Sequence, residues 1–65
     1  MLTERQLEIA DKWIEENVDA NDVAFTGDIV EEGNTVKYFF CKDGKSIIYA
    51  ITVNEDKIDS VTTEK

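Results

Sequence analysis

The chain has 65 residues, with fifteen acidic and seven basic side chains, one cysteine and no histidine, for a formal net charge of −8. That composition excludes an internal disulfide, leaves imidazole-based acid-base and nucleophile chemistry without its usual residue, and opposes contact with nucleic-acid phosphates or anionic lipid. A chain this short is expected to form a single small domain, residues 1–65, hiding only about 60% of the surface its unfolded form exposes.

The first element announces itself at Thr3, an N-cap residue with Gln6 three positions on as its capping-box partner and Leu2 and Leu7 placed as a hydrophobic staple. A helix is expected from Glu4. Leu7, Ala10, Ile14 and Val18 form one apolar row, and Ile9 with Trp13 a second beside it, a width suited to packing across a sheet. Glu4, Glu8, Asp11 and Glu15 line the opposite side as an acidic row, with Lys12 within reach of Glu8 or Glu16. Asn17, Asp19, Asn21 and Asp22 are poor helix formers, so the helix is expected to fray between Asn17 and Ala20.

The period then changes to two. Val23, Phe25, Gly27 and Ile29 alternate with Ala24, Thr26, Asp28 and Val30, which predicts a first strand ending at Glu31-Glu32-Gly33-Asn34. A Glu32-Gly33 loop would set Phe25 opposite Phe40, Ile29 opposite Val36 and Asp28 opposite Lys37, whereas a Gly33-Asn34 loop shifts that register by two and keeps the faces. Asp43-Gly44 is a strong hairpin signal, because a type I′ turn needs positive φ at both central positions. Counting from it pairs Phe40 with Ile47, Tyr38 with Tyr49, Val36 with Ile51, Phe39 with Ile48, Cys41 with Ser46 and Lys37 with Ala50. Asn54-Glu55-Asp56-Lys57 reads as a further tight turn, followed by a short strand over Ile58 to Thr62.

The expected fold class is therefore α+β: one N-terminal helix packed on an antiparallel meander of three to four strands, in the order α-β-β-β-β. The helix should set Leu7, Trp13 and Ile14 against Phe25, Tyr38, Phe40, Tyr49 and Ile51. Adjacent strand residues point to opposite faces, so Phe39 and Phe40 cannot both be covered by that helix. Parity assigns Phe40 to the core and Phe39 to the second face, together with Ile48, Cys41 and Ala50 and with Val30 and Val61 nearby.

This order of helix, strand and hairpin, with Tyr38, the Asp43-Gly44 turn and the Ile51-Thr52-Val53-Asn54 strand end, is loosely similar to PepSY-type modules and to small cystatin-like folds. The resemblance is one of topology and one common turn motif, and it implies a helix laid on an antiparallel sheet. In size and charge the chain is similar to phage-encoded host-takeover and anti-defence factors.

No catalytic, cofactor or metal site is expected. One cysteine without histidine cannot complete a structural zinc site within one chain, no Asp-x-Asp-x-Asp-Gly loop offers calcium an oxygen cage, and no glycine-rich phosphate loop occurs. No basic segment leading into an apolar run opens the sequence and no long apolar run follows, so no membrane association and a cytoplasmic setting are expected.

Two surfaces remain as candidates. The first is the second sheet face, Phe39, Ile48, Cys41 and Ala50, as an interface for another protein or for a second copy, since aromatic residues in such patches anchor binding. The second is the acidic face of Glu4, Glu8, Asp11 and Glu15, extended by Asp19 and Asp22. Ten of the acids and only Arg5 and Lys12 precede Gly33, so the first half carries the entire net charge. Carboxylates spaced along a helix can imitate a run of phosphates and occupy a basic groove. The expected function is thus a non-catalytic protein-binding module or inhibitor that occupies a partner's surface through its second sheet face or an edge strand, with nucleic-acid mimicry as the alternative and a small enzyme as the least favoured class.

Overall fold

The computed structural model describes residues 2–65, and the fold is α+β: helix α1 (Glu4–Asn17) followed by β1 (Ala24–Glu32), β2 (Thr35–Lys42), β3 (Lys45–Asn54) and β4 (Lys57–Glu64). The strands form one antiparallel sheet in the order β1-β2-β3-β4, so β1 and β4 are its edges.

Helix α1 starts where its first turn is chemically closed. The Thr3 hydroxyl accepts from the Gln6 backbone N–H at 3.2 Å, and Gln6 Oε1 accepts from the Thr3 N–H at 3.0 Å, satisfying two donors that a helix start otherwise leaves orphaned. The Gln6 amide then donates to the Glu55 carbonyl at 3.2 Å, which ties the start of the helix to the β3–β4 turn. At the other end Val18 is already extended, and the Asp19 carboxylate accepts from the Asn21 N–H at 2.8 Å, a local turn that competes with further helix.

The central hairpin has the expected register throughout, including Phe40 opposite Ile47 and Phe39 opposite Ile48. Asp43 and Gly44 both have positive φ, +52° and +78°, as the two-residue turn demands. Gly33-Asn34 closes the first hairpin, so Ile29 faces Tyr38 and Val30 faces Lys37. Past Ile29 the register shifts, and Phe25 still meets Phe40. The two turn alternatives each hold in one half of β1, because an irregularity between Phe25 and Ile29, with Gly27 at φ +96°, absorbs two residues. Asp28 consequently does not face Lys37, whose ammonium instead meets Glu32 at 3.4 Å. The expected Lys12 pairs are likewise replaced, among the described residues, by an Arg5–Glu8 contact at 4.0 Å.

Strand β4 is longer than the Ile58 to Thr62 segment read from the sequence, and it holds a second irregularity. Val53 pairs with Ile58 while Thr52 pairs with Ser60, so Asp59 is an extra residue and everything after it changes face. Val61 therefore faces Ile51 on the helix side rather than standing near Phe39.

The core comprises Leu2, Ala10, Val23, Val36, Tyr38, Phe40, Ile51 and Val53, with Leu7, Ile9, Trp13, Ile14 and Tyr49 packed around it. Phe40 is its aromatic hub, 5.4 Å from Tyr49 edge-on and 5.2 Å from Phe25. Phe25 itself does not join the buried core as expected. Helix α1 lies against β3 and β4, and every residue of β1 is exposed.

Candidate functional site

Sheet geometry explains that exposure. Four strands about 4.8 Å apart make a sheet roughly 19 Å across, counting the strands' own width. A helix with its side chains is about 10 Å wide, so one helix covers about half of it. With α1 displaced toward β3 and β4, the uncovered half is the β1 side. Phe25 and Ile29 are each 49% exposed there, although both stand on the helix-side face opposite Phe40 and Tyr38. Val30, on the outer face opposite Lys37, is 40% exposed.

Between α1 and β1 this leaves a groove of ≈ 390 Å³ lined by Asp11, Ile14, Glu15, Phe25, Ile29, Tyr38 and Phe40. Its floor is aromatic, its walls are Ile14 on one side and Phe25 with Ile29 on the other, and its rim is acidic. Glu31, on the helix-side face opposite Val36, continues the acidic rim along β1. The Tyr38 hydroxyl donates to the Asp11 carboxylate and pins the helix to the floor. Burial first, then this hydrogen bond and the charges of Asp11 and Glu31, push the Tyr38 phenol well above its usual range. Tyr38 is thus a neutral structural donor rather than an ionisable group at ordinary pH.

The lysines nearest this side are already engaged. Lys42 contacts Asp22 at 2.9 Å, and that hydrogen bond and charge raise its pKa; Lys37 is paired with Glu32. The opposite flank of α1 differs in kind, since Arg5, Glu8, Lys12 and Glu16 beside Ile9, Trp13 and Ile58 make it charged in both signs.

The residues singled out from the sequence fall as follows. Phe39, Ile48, Cys41 and Ala50 do share the outer face, in adjacent register positions, and all are half-buried rather than open. Around them lie Lys37 opposite Ala50, Glu64 opposite Ile48, and Thr35, Thr52, Ser60 and Thr62, with the Thr35 and Thr52 hydroxyls bonded at 2.8 Å, so the patch is a small apolar island in a polar and charged surface. Thr26 donates to the Phe39 carbonyl at 3.0 Å, which closes the irregular part of β1 onto β2. Glu4, Glu8, Asp11 and Glu15 are exposed along α1, and Asp19 and Asp22 are exposed in the loop that follows. Asp11, Asp19 and Asp22 have specific partners, the Tyr38 hydroxyl, the Asn21 N–H and Lys42, and Glu4, Glu8 and Glu15 face solvent or Arg5.

The exposure of Phe25 and Ile29 was not readable from the sequence, because a period-two pattern reports which face a residue occupies but not how far a helix reaches across that face. Cys41 is a free, half-buried thiol. Among the described residues no group of three or more His, Cys, Asp or Glu side chains is arranged to hold a metal ion, and no helix is long and apolar enough to cross a membrane. Compared with protein-family models, with curated proteins and with solved structures, the chain matches none.

Proposed function

We propose that this protein is a non-catalytic binding module that acts by occupying the surface of another protein through the β1 side of its sheet. The observation that carries this reading is the concentration of exposed large hydrophobic side chains, Phe25, Ile29 and Val30, on one edge strand. These side chains are about half exposed, so burying the rest of each is worth roughly half the value of full burial, about 1.5–3 kcal/mol, and apolar exposure gathered on one strand of a small domain marks an interaction surface. Val30 turns to the outer face beside Lys37, which is paired with Glu32, so the Phe39 and Ile48 island on that face is a separate surface. A partner with basic character fits the net charge of −8.

The test is capture of the partner from native host lysate, followed by binding measurements with Ile29→Ser, Val30→Ser and Phe39→Ser. Loss of affinity with an unchanged melting temperature supports the module. Retention of full affinity by all three variants overturns it.

A second reading, nucleic-acid mimicry by the acidic face, is favoured by the exposed row Glu4, Glu8, Asp11 and Glu15. Mimicry predicts affinity that falls steeply between about 0.01 M and about 1 M salt, as the Debye length drops from about 30 Å to about 3 Å. It also predicts that replacing Glu8, Asp11 and Glu15 together by Gln abolishes binding. Contact through the apolar side predicts a shallower salt dependence and binding that is weakened but not abolished in that triple variant, because Asp11 and Glu15 only rim that surface.

A further inference from the structure

We infer that the groove between α1 and β1 is the seat of an amphipathic, basic helix contributed by the partner, which would complete the helix layer that this chain only half builds. The inference rests on the binding-module reading above and assigns the chemistry of what binds.

Three observations converge on a helix rather than on a strand or a second copy. The first is dimensional. The uncovered half of the sheet is about one helix diameter wide, and its floor and walls present Phe25, Ile29, Phe40 and Ile14, the kind of apolar trough into which side chains at helical spacing pack. The second is the state of the β1 edge. A strand added to an edge needs a regular run of free N–H and C=O groups, and the irregularity between Phe25 and Ile29, with Gly27 at φ +96°, interrupts that run in the middle of the strand.

The third is charge. Asp11 and Glu15 rim the groove on the helix side and Glu31 stands on the same sheet face beyond Ile29 on β1, while Lys37 and Lys42 are already paired with Glu32 and Asp22. A second copy of this chain in the same groove would bring another net charge of −8 with its own acidic rim against the first. Lysine or arginine flanking the apolar stripe of an incoming helix would instead meet carboxylates on both sides.

The experiment titrates the whole ¹⁵N-labelled chain with three synthetic peptides of identical composition, each about 14 residues long to match α1. In one, apolar residues fall at helical spacing with Lys and Arg on both flanks; in the second they alternate as in a strand; the third is scrambled. The expected result is that the helical peptide binds about tenfold or more tightly than the other two and shifts the amides of Asp11, Glu15, Phe25 and Ile29. Ile29→Ser and Glu15→Lys, both at exposed positions, should each weaken it severalfold without lowering the melting temperature.

Preferential binding of the alternating peptide along β1 overturns the helix assignment and leaves the module reading standing. Shifts confined to Phe39, Ile48 and Ala50 do the same in favour of the outer face. Concentration-dependent dimerisation that buries Phe25 and Ile29 overturns it in favour of a second copy. Equal affinity for all three peptides reduces the interaction to charge alone and overturns it too, while failure of all three to bind overturns the groove as a helix site; the partner-capture variants then decide the module reading independently.

Discussion

Tyr38 and Glu55 are the two side chains whose local chemistry is most sharply defined. Tyr38 is 4% exposed, and its hydroxyl has one partner, the Asp11 carboxylate. Removing the hydroxyl by Tyr38→Phe should cost about 1.5 kcal/mol, the low end for a bond to a charged group because Asp11 is exposed, which corresponds to a fall of roughly 6–12 °C in melting temperature for a domain of this size. The pH dependence has a definite sign. Because the folded-state pKa of Tyr38 is raised, the folded protein holds the phenolic proton after the unfolded chain has lost it. The contribution is fully present below the ordinary tyrosine pKa of about 10 and is lost as pH rises from there through the folded value. The gap between the unfolding curves of the wild type and Tyr38→Phe should therefore close above about pH 10 and then reverse, because a buried phenolate destabilises the wild type by more than the hydrogen bond that Phe lacks, whereas parallel curves to the end of the alkaline range would show that the phenol is not held in this way. Glu55 has φ +55°, a left-handed conformation that a side chain makes costly by roughly 1–2 kcal/mol, while its contribution to the Gln6 contact is only its backbone carbonyl. Glu55→Gly keeps that carbonyl and relieves the strain, less the added freedom of glycine in the unfolded chain, so a rise of a few degrees in melting temperature is expected.

Among the elements, β1 carries the most information about function and was the hardest to read. Its interior irregularity can be tested by deletion of Gly27 and Asp28. Removing two residues leaves parity untouched and lets the Gly33-Asn34 register run on through Phe25, giving β1 a regular outer edge. The shortened chain should remain folded, with light scattering showing self-association at concentrations where the wild type does not associate, because a regular open edge is a template for pairing. An unfolded product, or one no more prone to associate than the wild type, would mean that the irregularity does not guard this edge. The same strand shows what the sequence could convey. The capping box at Thr3 and Gln6 and the Asp43-Gly44 turn are local devices, each complete within a few residues, so the helix start and the whole β2–β3 register were legible. Faces were legible too where no irregularity intervened, which is why Phe39 and Phe40 separated as expected. Asp59 adds one residue to β4 and moves Val61 to the helix side, a change no alternation pattern announces. The lateral position of α1 over β3 and β4 arises from packing between distant segments, and with it went the exposure of Phe25 and Ile29.

Taken as one charged body, the molecule places its acids where they serve stability poorly. The last turn of α1 has no basic residue, and Glu15, Glu16 and Asp19 sit at or just beyond the end of the helix, where the backbone dipole is already negative. Each such placement forgoes about 0.3–1 kcal/mol that a cation there would contribute. Glu15→Lys reverses one of them and adds an i,i+4 pair with Asp11, worth roughly a further 0.2–0.5 kcal/mol. The melting temperature of that variant should accordingly rise by several degrees at low ionic strength, with the gain shrinking as salt screens the exposed charges. Binding should move the other way: Glu15 lies both on the rim of the α1–β1 groove and in the acidic row, so a basic partner loses a favourable contact and meets a like charge at either surface. Stability and affinity are thus expected to change in opposite directions in a single variant. If the protein becomes more stable while holding its partner as tightly as before, the acids at this end of the helix contribute solubility and nothing to recognition, and the apolar floor of Phe25, Ile29 and Phe40 must select the partner without them.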